Sequence, residues 1–175
     1  MARKLEHDLS DLKDRVLRMG SLVEDAIRKS IRALVERDRD LALAVIEGDA
    51  IVNTHDVEIE EECIRLLAIW QPTGSNLRFI TTAIKIITDL ERMGDLAVDI
   101  CRRAVELMEE PQLKPYIDIP RMADASQKML KDSLDSFVER DPDLAMKVCA
   151  ADDFVDDLNV QIFNELLVYM LQDPK

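Results

Sequence analysis

Glycine and proline are scarce in this sequence, 4 and 6 in 175 residues, and aromatic side chains make up only 4%. That poverty argues against a mixed fold. The long stretches of Leu, Ala, Glu, Asp, Arg, Lys and Ile are the profile of an all-α protein. Bases are also short, 23 against 36 acids, for a net charge of −13. A generic nucleic-acid surface needs clustered excess Lys and Arg, and so does an anionic membrane surface, which sets both partners aside. Cations and basic partner surfaces fit better. Cysteine is limited to Cys63, Cys101 and Cys149, none in a Cys-x-x-Cys pair. Each lies among apolar helical neighbours, so buried, reduced thiols are expected. No apolar run approaches the ~20 residues of a membrane span. The N-terminus, Met1-Ala2-Arg3-Lys4-Leu5-Glu6, has no signal-peptide core, and a cytoplasmic location is expected.

Five long helices can be placed. The first is predicted over residues 3–37, with Leu5, Leu9, Leu12, Val16, Met19, Val23 and Ile27 near one face. The second covers residues 40–69 and stops at the breaker Gln71-Pro72-Thr73-Gly74. Ser75 or Asn76 is expected to cap the third, which continues to Met108. Residues 111–119, with Pro111 and Pro115, read as a linker, and Pro120 is expected just inside the fourth helix, which covers about 120–139. Asp141-Pro142 opens the fifth, predicted to reach Gln172.

The chain repeats itself at a shift of 103 residues. Val35-Glu36-Arg37-Asp38 and Asp40-Leu41-Ala42 fall on Val138-Glu139-Arg140-Asp141 and Asp143-Leu144-Ala145. Further on, Val45, Asp49, Val52, Val57, Ile59 and Glu62 fall on Val148, Asp152, Val155, Val160, Ile162 and Glu165. Helix breaks recur with the residues, as a duplication requires. The organisation expected is a first three-helix unit over 1–110, a linker over 111–119, and a second unit over 120–175 that is cut short at two helices.

The third helix places acids where it should bury hydrocarbon. Its apolar residues alternate four and three apart at Ile80, Ile84, Ile87, then Val98, Cys101, Val105 and Met108. Continued through the gap, that rhythm lands on Glu91 and Gly94, with Asp95 and Asp99 one and two turns after Glu91. The second helix does the same: Val45, Asp49, Val52, Asp56, Ile59, Cys63, Leu66 and Trp70 form its seam, and Asn53 follows Asp49 by one turn. In the repeat the corresponding residues are Asp152, Asp156 and Asn159. A carboxylate on a packed seam is tolerated only if paired, protonated or bound to a cation. The acids of the two helices lie at equal distances from their connecting loop, so they should meet at one level of an antiparallel pair. Such an oxygen-rich site suits magnesium, calcium or manganese, and also iron in a carboxylate cluster, or zinc with water completing its shell. No Glu-x-x-His is present, so the ferritin-like di-iron pattern fails. The bland alternative is a solvated acidic face paired with Arg92, Arg102 or Arg103. Catalysis has little support: there is no Ser/His or Cys/His arrangement and no Gly-rich phosphate loop.

Asp89-Leu90-Glu91-Arg92-Met93-Gly94-Asp95, preceded by Ala83-Ile84-Lys85-Ile86-Ile87-Thr88, resembles the PhoU family of bacterial phosphate-uptake regulators. Gly20, Glu36-Arg37-Asp38, Gly48-Asp49 and Gln71-Pro72 agree, as does the tandem repeat, so the likeness covers essentially the whole chain. It implies an all-α fold of two three-helix bundles side by side, with five of the six helices present here. It also implies a cytoplasmic negative regulator that bridges the phosphate ABC transporter ATPase and the phosphate-sensing histidine kinase, and that is not an enzyme. Family members hold multinuclear metal clusters in Glu/Asp-x-x-x-Asp motifs. By resemblance Glu91 and Asp95 match one motif, Asp49 with Asn53 the other incompletely, and Asp152 with Asp156 match it fully; Asp56 and Asp99 add acids beside them. Leu96 stands where a His is common, removing a polar group. Without a sixth helix, the second cluster should be incomplete and an apolar strip on helices four and five should lie open. A homodimer covering that strip is the expected remedy. The rival readings are a metal-free helical interaction scaffold and, further off, a carboxylate-metal enzyme.

Overall fold

The computed structural model describes residues 2–172, and every secondary-structure element in that span is a helix: α1 (Ala2–Glu36), α2 (Arg39–Trp70), α3 (Gly74–Leu107), α4 (Asp118–Glu139) and α5 (Pro142–Gln172). The chain divides into two compact units, residues 1–110 and 111–175. In the first, α1, α2 and α3 each pack against the other two; in the second, α4 packs against α5. None of these helices is long and apolar enough to cross a membrane.

The core of the first unit follows the predicted seams. Leu12, Val16, Met19 and Val23 of α1, Ile59, Cys63 and Leu66 of α2, and Ile80, Ala83 and Ile87 of α3 are sealed from water. Near the α1–α2 turn, Ala33, Ala42, Val45 and Cys101 close the bundle in a layer of small side chains. Burial pushes the Cys63 and Cys101 thiols up to about 11, which keeps them protonated and unreactive. Cys149 departs from expectation: it lies exposed on α5.

The duplication is visible bond for bond. Arg37 and Arg140 both take left-handed backbone angles (φ 55° and 59°) to end the first helix of their unit. Asp38 then accepts from Leu41 N at 2.9 Å to cap α2, and Asp141 accepts from Leu144 N at 3.0 Å. Asp38 N donates to Ala33 O, and Asp141 N to Ser136 O. Each cap satisfies helix-end amides that would otherwise lack a partner, so Asp38→Ala should cost about 1 kcal/mol in urea denaturation.

Arg37 has a further duty. Its Nη2 donates to the carbonyls of Leu107, Met108 and Glu110 at 3.2, 2.8 and 2.7 Å, closing the frayed end of α3 against the α1–α2 turn. Arg39 adds an ion pair to Glu109 at 3.0 Å. At the other end of the bundle, Trp70 Nε1 donates to Asp8 at 2.8 Å, tying α2 to α1.

Two boundaries differ from the sequence reading. Neither Ser75 nor Asn76 caps α3; the helix starts at Gly74, whose φ of 59° turns the chain out of the Gln71–Thr73 loop, and the cap residue Thr73 makes no side-chain cap bond. α4 begins at Asp118, two residues before the expected start, and Pro120 lies just inside it, where an amide has no helical acceptor to lose. The segment read as a linker is strapped to α5. Lys114 forms an ion pair with Glu165 and lies 5.9 Å over the Tyr169 ring, and Asp118 accepts from Gln161 at 3.0 Å.

Candidate functional site

The α2–α3 hairpin brings the predicted acids together. Asp49 and Asp56 lie half-buried on the inner side of α2, and Glu91 half-buried on α3 one turn before Asp95. Gly94 of α3 is buried at this level of the hairpin. A Cβ on Gly94 would stand 3.3 Å from Asp49 Oδ1 and 3.4 Å from Val52 Cγ1. The Asp49 carboxylate therefore rests on bare α3 backbone, and the missing side chain makes room for it. Gly94→Val forces a branched side chain into that space and should cost about 1–3 kcal/mol in chemical denaturation. Gly94→Ala should cost less, since the Asp49 tip can swing aside and a better helix former offsets up to ~1 kcal/mol.

The charges at this level are strained against one another. Burial raises the Glu91 carboxyl above its ordinary range; Asp95, Asp56 and Asp49 raise it further, and only Arg92 opposes them. Asp56 is likewise raised, by burial first and then by Glu60, an acid one turn on that the seam rhythm did not single out. The signal for Glu60 was present as an i, i+4 pair with Asp56. Such a cluster favours protons or a cation at its centre.

The remaining candidates sit at the edge. Asn53 is exposed and donates its amide to Asp49 Oδ2 at 3.1 Å, orienting that carboxylate. Asp99 is exposed and pairs with Arg102 at 2.9 Å. Arg92 reaches Asp89 at 3.7 Å and is fully at the surface. Leu96, beside the cluster, is 61% exposed. In the second unit Asp152 and Asp156 are both exposed on α5, and among the described residues no third helix stands opposite them. Among the described residues no three acid, imidazole or thiol groups converge on one point. Asp49, Asp56, Glu91 and Asp95 all offer carboxylate oxygens, the donor chemistry of a hard cation; Asp49 lies against Gly94, and Asp95 is exposed.

The expected apolar strip on helices four and five is seen on α5 only; Leu130 and Leu134 of α4 are buried. Leu166 is 36% exposed, whereas its counterpart Cys63 in the first unit is sealed. In the first unit α3 packs against both α1 and α2 and covers that face; in the second, α4 and α5 have only each other.

Comparisons with known proteins agree with this architecture. The PhoU domain family matches residues 16–104 and 119–175. The phosphate-specific transport system accessory protein PhoU homolog of Aquifex aeolicus is 44% identical over 172 residues, which span 98% of this chain and 78% of that protein. The Escherichia coli accessory protein PhoU is 36% identical over 168 residues, 96% of this chain and 70% of the relative. The crystal structure of PhoU from Pseudomonas aeruginosa superposes with a TM-score of 0.91 at 38% identity, covering 97% of this chain and 81% of that one. By sequence, by repeat and by fold, the chain belongs to the PhoU family.

Proposed function

We propose that this protein is an accessory regulator of phosphate uptake, acting in the cytoplasm as an adaptor between the phosphate ABC transporter ATPase and the phosphate-sensing histidine kinase. Family membership at 44% identity with a phosphate-specific transport system accessory protein carries the regulatory part of this reading. The family is one of regulatory accessory proteins, and surfaces rather than substrate turnover carry the role.

The carboxylate cluster is the adaptor's control element in this reading. Asp49, Asp56, Glu91 and Asp95 would hold a divalent or ferric ion (iron, zinc, manganese or magnesium), with Asn53 and Asp99 at its margin and Asp152 and Asp156 offering a second, half-built set. The ion supplies positive charge to a self-repelling site. The chain's own residues do the rest: Gly94 leaves room for Asp49, Asn53 holds Asp49, and Glu91 sits where added charge changes its protonation. A second copy of the chain covers the open apolar strip of α5, giving a homodimer.

The test is binding of the purified protein to the transporter ATPase and to the cytoplasmic part of the kinase, by biolayer interferometry, with metal and with chelator. The proposal expects both partners to bind, with affinities that change when metal is removed. Failure to bind either one in both conditions would overturn it. A second reading, a metal-free scaffold, is favoured by the Asp99–Arg102 and Asn53–Asp49 bonds, which occupy acids with protein partners. It expects binding that chelator leaves unchanged.

A further inference from the structure

The second helix of each unit carries apolar side chains on the side that faces away from its bundle. On α2, Leu43, Val57 and Ile64 are 43%, 53% and 56% exposed. With Ala50 they recur every seven residues, and each precedes a buried seam residue (Val45, Val52, Ile59, Leu66) by two positions. Two residues are about 200° of helical rotation, so this line runs opposite the core face. α3 is in place in the first unit and does not cover it. The line is therefore distinct from the strip on α5 that lacks a covering helix.

The repeat preserves the line. Shifted by 103 residues, Leu43, Val57 and Ile64 become Met146, Val160 and Leu167, all exposed on α5, while Ala50 becomes Asp153, an acid within the line. The groove beside it recurs too: Ala26, Gly48 and Ile51 line it in the first unit, Met129, Ala151 and Phe154 in the second, with Lys29 paired to Asp25 in the one, and Lys128 paired to Asp132 beside Lys147 in the other. Exposed single apolar residues need no explanation, but a row kept at equivalent positions of two diverged repeats does.

Its charge setting selects the occupant. From Asp40 to Glu62, α2 has eight acids and no Lys or Arg. Glu47, Glu58, Glu60 and Glu61 flank the line and have no basic partner among the described residues. On α5 beyond Lys147, Asp152, Asp153, Asp156 and Asp157 are likewise met by no base in sequence, whereas Glu165 is already paired with Lys114. Two such faces repel each other, and an anionic bilayer repels both. We propose that the outer faces of α2 and α5 form a duplicated docking surface for a basic amphipathic helix of a partner protein. The helix would lay its apolar side along the seven-residue line and its Lys and Arg over the flanking acids. This deepens the adaptor reading above and rests on it, but it needs neither metal nor phosphate.

The probe is an amphipathic Leu/Lys peptide of about five helical turns, labelled for fluorescence anisotropy. The controls are a scrambled Leu/Lys peptide and an amphipathic Leu/Glu peptide. Two equivalents of the amphipathic Leu/Lys peptide should bind per chain, about tenfold tighter than the scramble, and more weakly in high salt. The Leu/Glu peptide should not bind. Val57→Asn/Ile64→Asn should remove one equivalent, and Glu58→Gln/Glu61→Gln should weaken it by about tenfold without touching an apolar residue. All four positions are exposed, and circular dichroism checks that the helices persist. Several results would overturn the proposal: equal binding by the scramble, binding unchanged in both variants, preferential binding to phosphatidylglycerol vesicles, or a dimer in sedimentation that Val57→Asn/Ile64→Asn dissolves. If the peptide arms fail while the transporter ATPase still binds, the adaptor reading stands and this surface does not.

Discussion

Replacing Ile80 by Ala will lower the stability of the first unit by about 2–5 kcal/mol and leave the unfolding of the second where it was. Ile80 is completely sealed on α3, the helix that packs against both α1 and α2. Truncation there leaves a cavity between three helices with little freedom to close it. The second unit holds only one helix pair, and Leu134, at 5% exposure, can be replaced by Ala at a cost near the low end of the same range, because a pair can slide together. Trp70 makes the measurement selective. It is the only tryptophan, it lies in the first unit, and its indole is bonded to Asp8. Urea unfolding followed by tryptophan fluorescence reports the first unit, and helicity reports both. Ile80→Ala should shift the fluorescence transition and only the matching part of the helicity change. A single transition shifted as a whole would show that the two units unfold as one.

The Glu91→Gln/Asp95→Asn variant should behave oppositely in chelator and in metal. In chelator, the folded wild type holds Glu91 with its carboxyl raised, so folding takes up protons. Stability contributed this way is present below the ordinary glutamate value of 4.5 and is lost as pH rises through the raised folded value. Asp56, also raised, adds to the same slope from its own ordinary value of 3.8. At neutral pH the Glu91 carboxylate is therefore a liability, and the double variant, which removes it together with the Asp95 charge that raises it, should melt higher than wild type, with a flatter dependence on pH. With metal at about 100 times Kd, wild type gains about 2.7 kcal/mol and the variant does not. The order of melting temperatures should reverse. Thermal melts from pH 4 to 8 in both conditions, read by helicity, settle it; a variant less stable in chelator would mean that Glu91 or Asp95 makes a favourable contact in the empty bundle.

The five helices were legible because their seams are long and regular, and because the 103-residue repeat made each break count twice. The acid level was legible for a related reason: Asp49, Asp56 and Glu91 interrupt a rhythm that is otherwise apolar, and equal distances from the 71–73 loop bring them together. What the rhythm could not give was side-chain direction. It put Gly94 on the seam but not beneath Asp49, a relation that depends on how two helices are rotated against each other. It could not show that Asp99, grouped with the cluster, pairs with the Arg102 guanidinium one turn away. Cys149 misled for the opposite reason. Its apolar neighbours belong to a helix with apolar residues on several faces, so local company did not imply burial. The outer line of α2 was written in the sequence at seven-residue spacing, masked by the stronger inner seam two residues away.

The site itself is tested most directly by elemental analysis of the purified, tag-free protein by mass spectrometry, beside the Glu91→Gln/Asp95→Asn variant. One or more equivalents of iron, zinc, manganese or magnesium in wild type, absent from the variant, is the expected result. A wild type that carries no metal and is equally folded and equally stable in chelator would contradict it, and the acids between α2 and α3 would then be a solvated, ion-paired face.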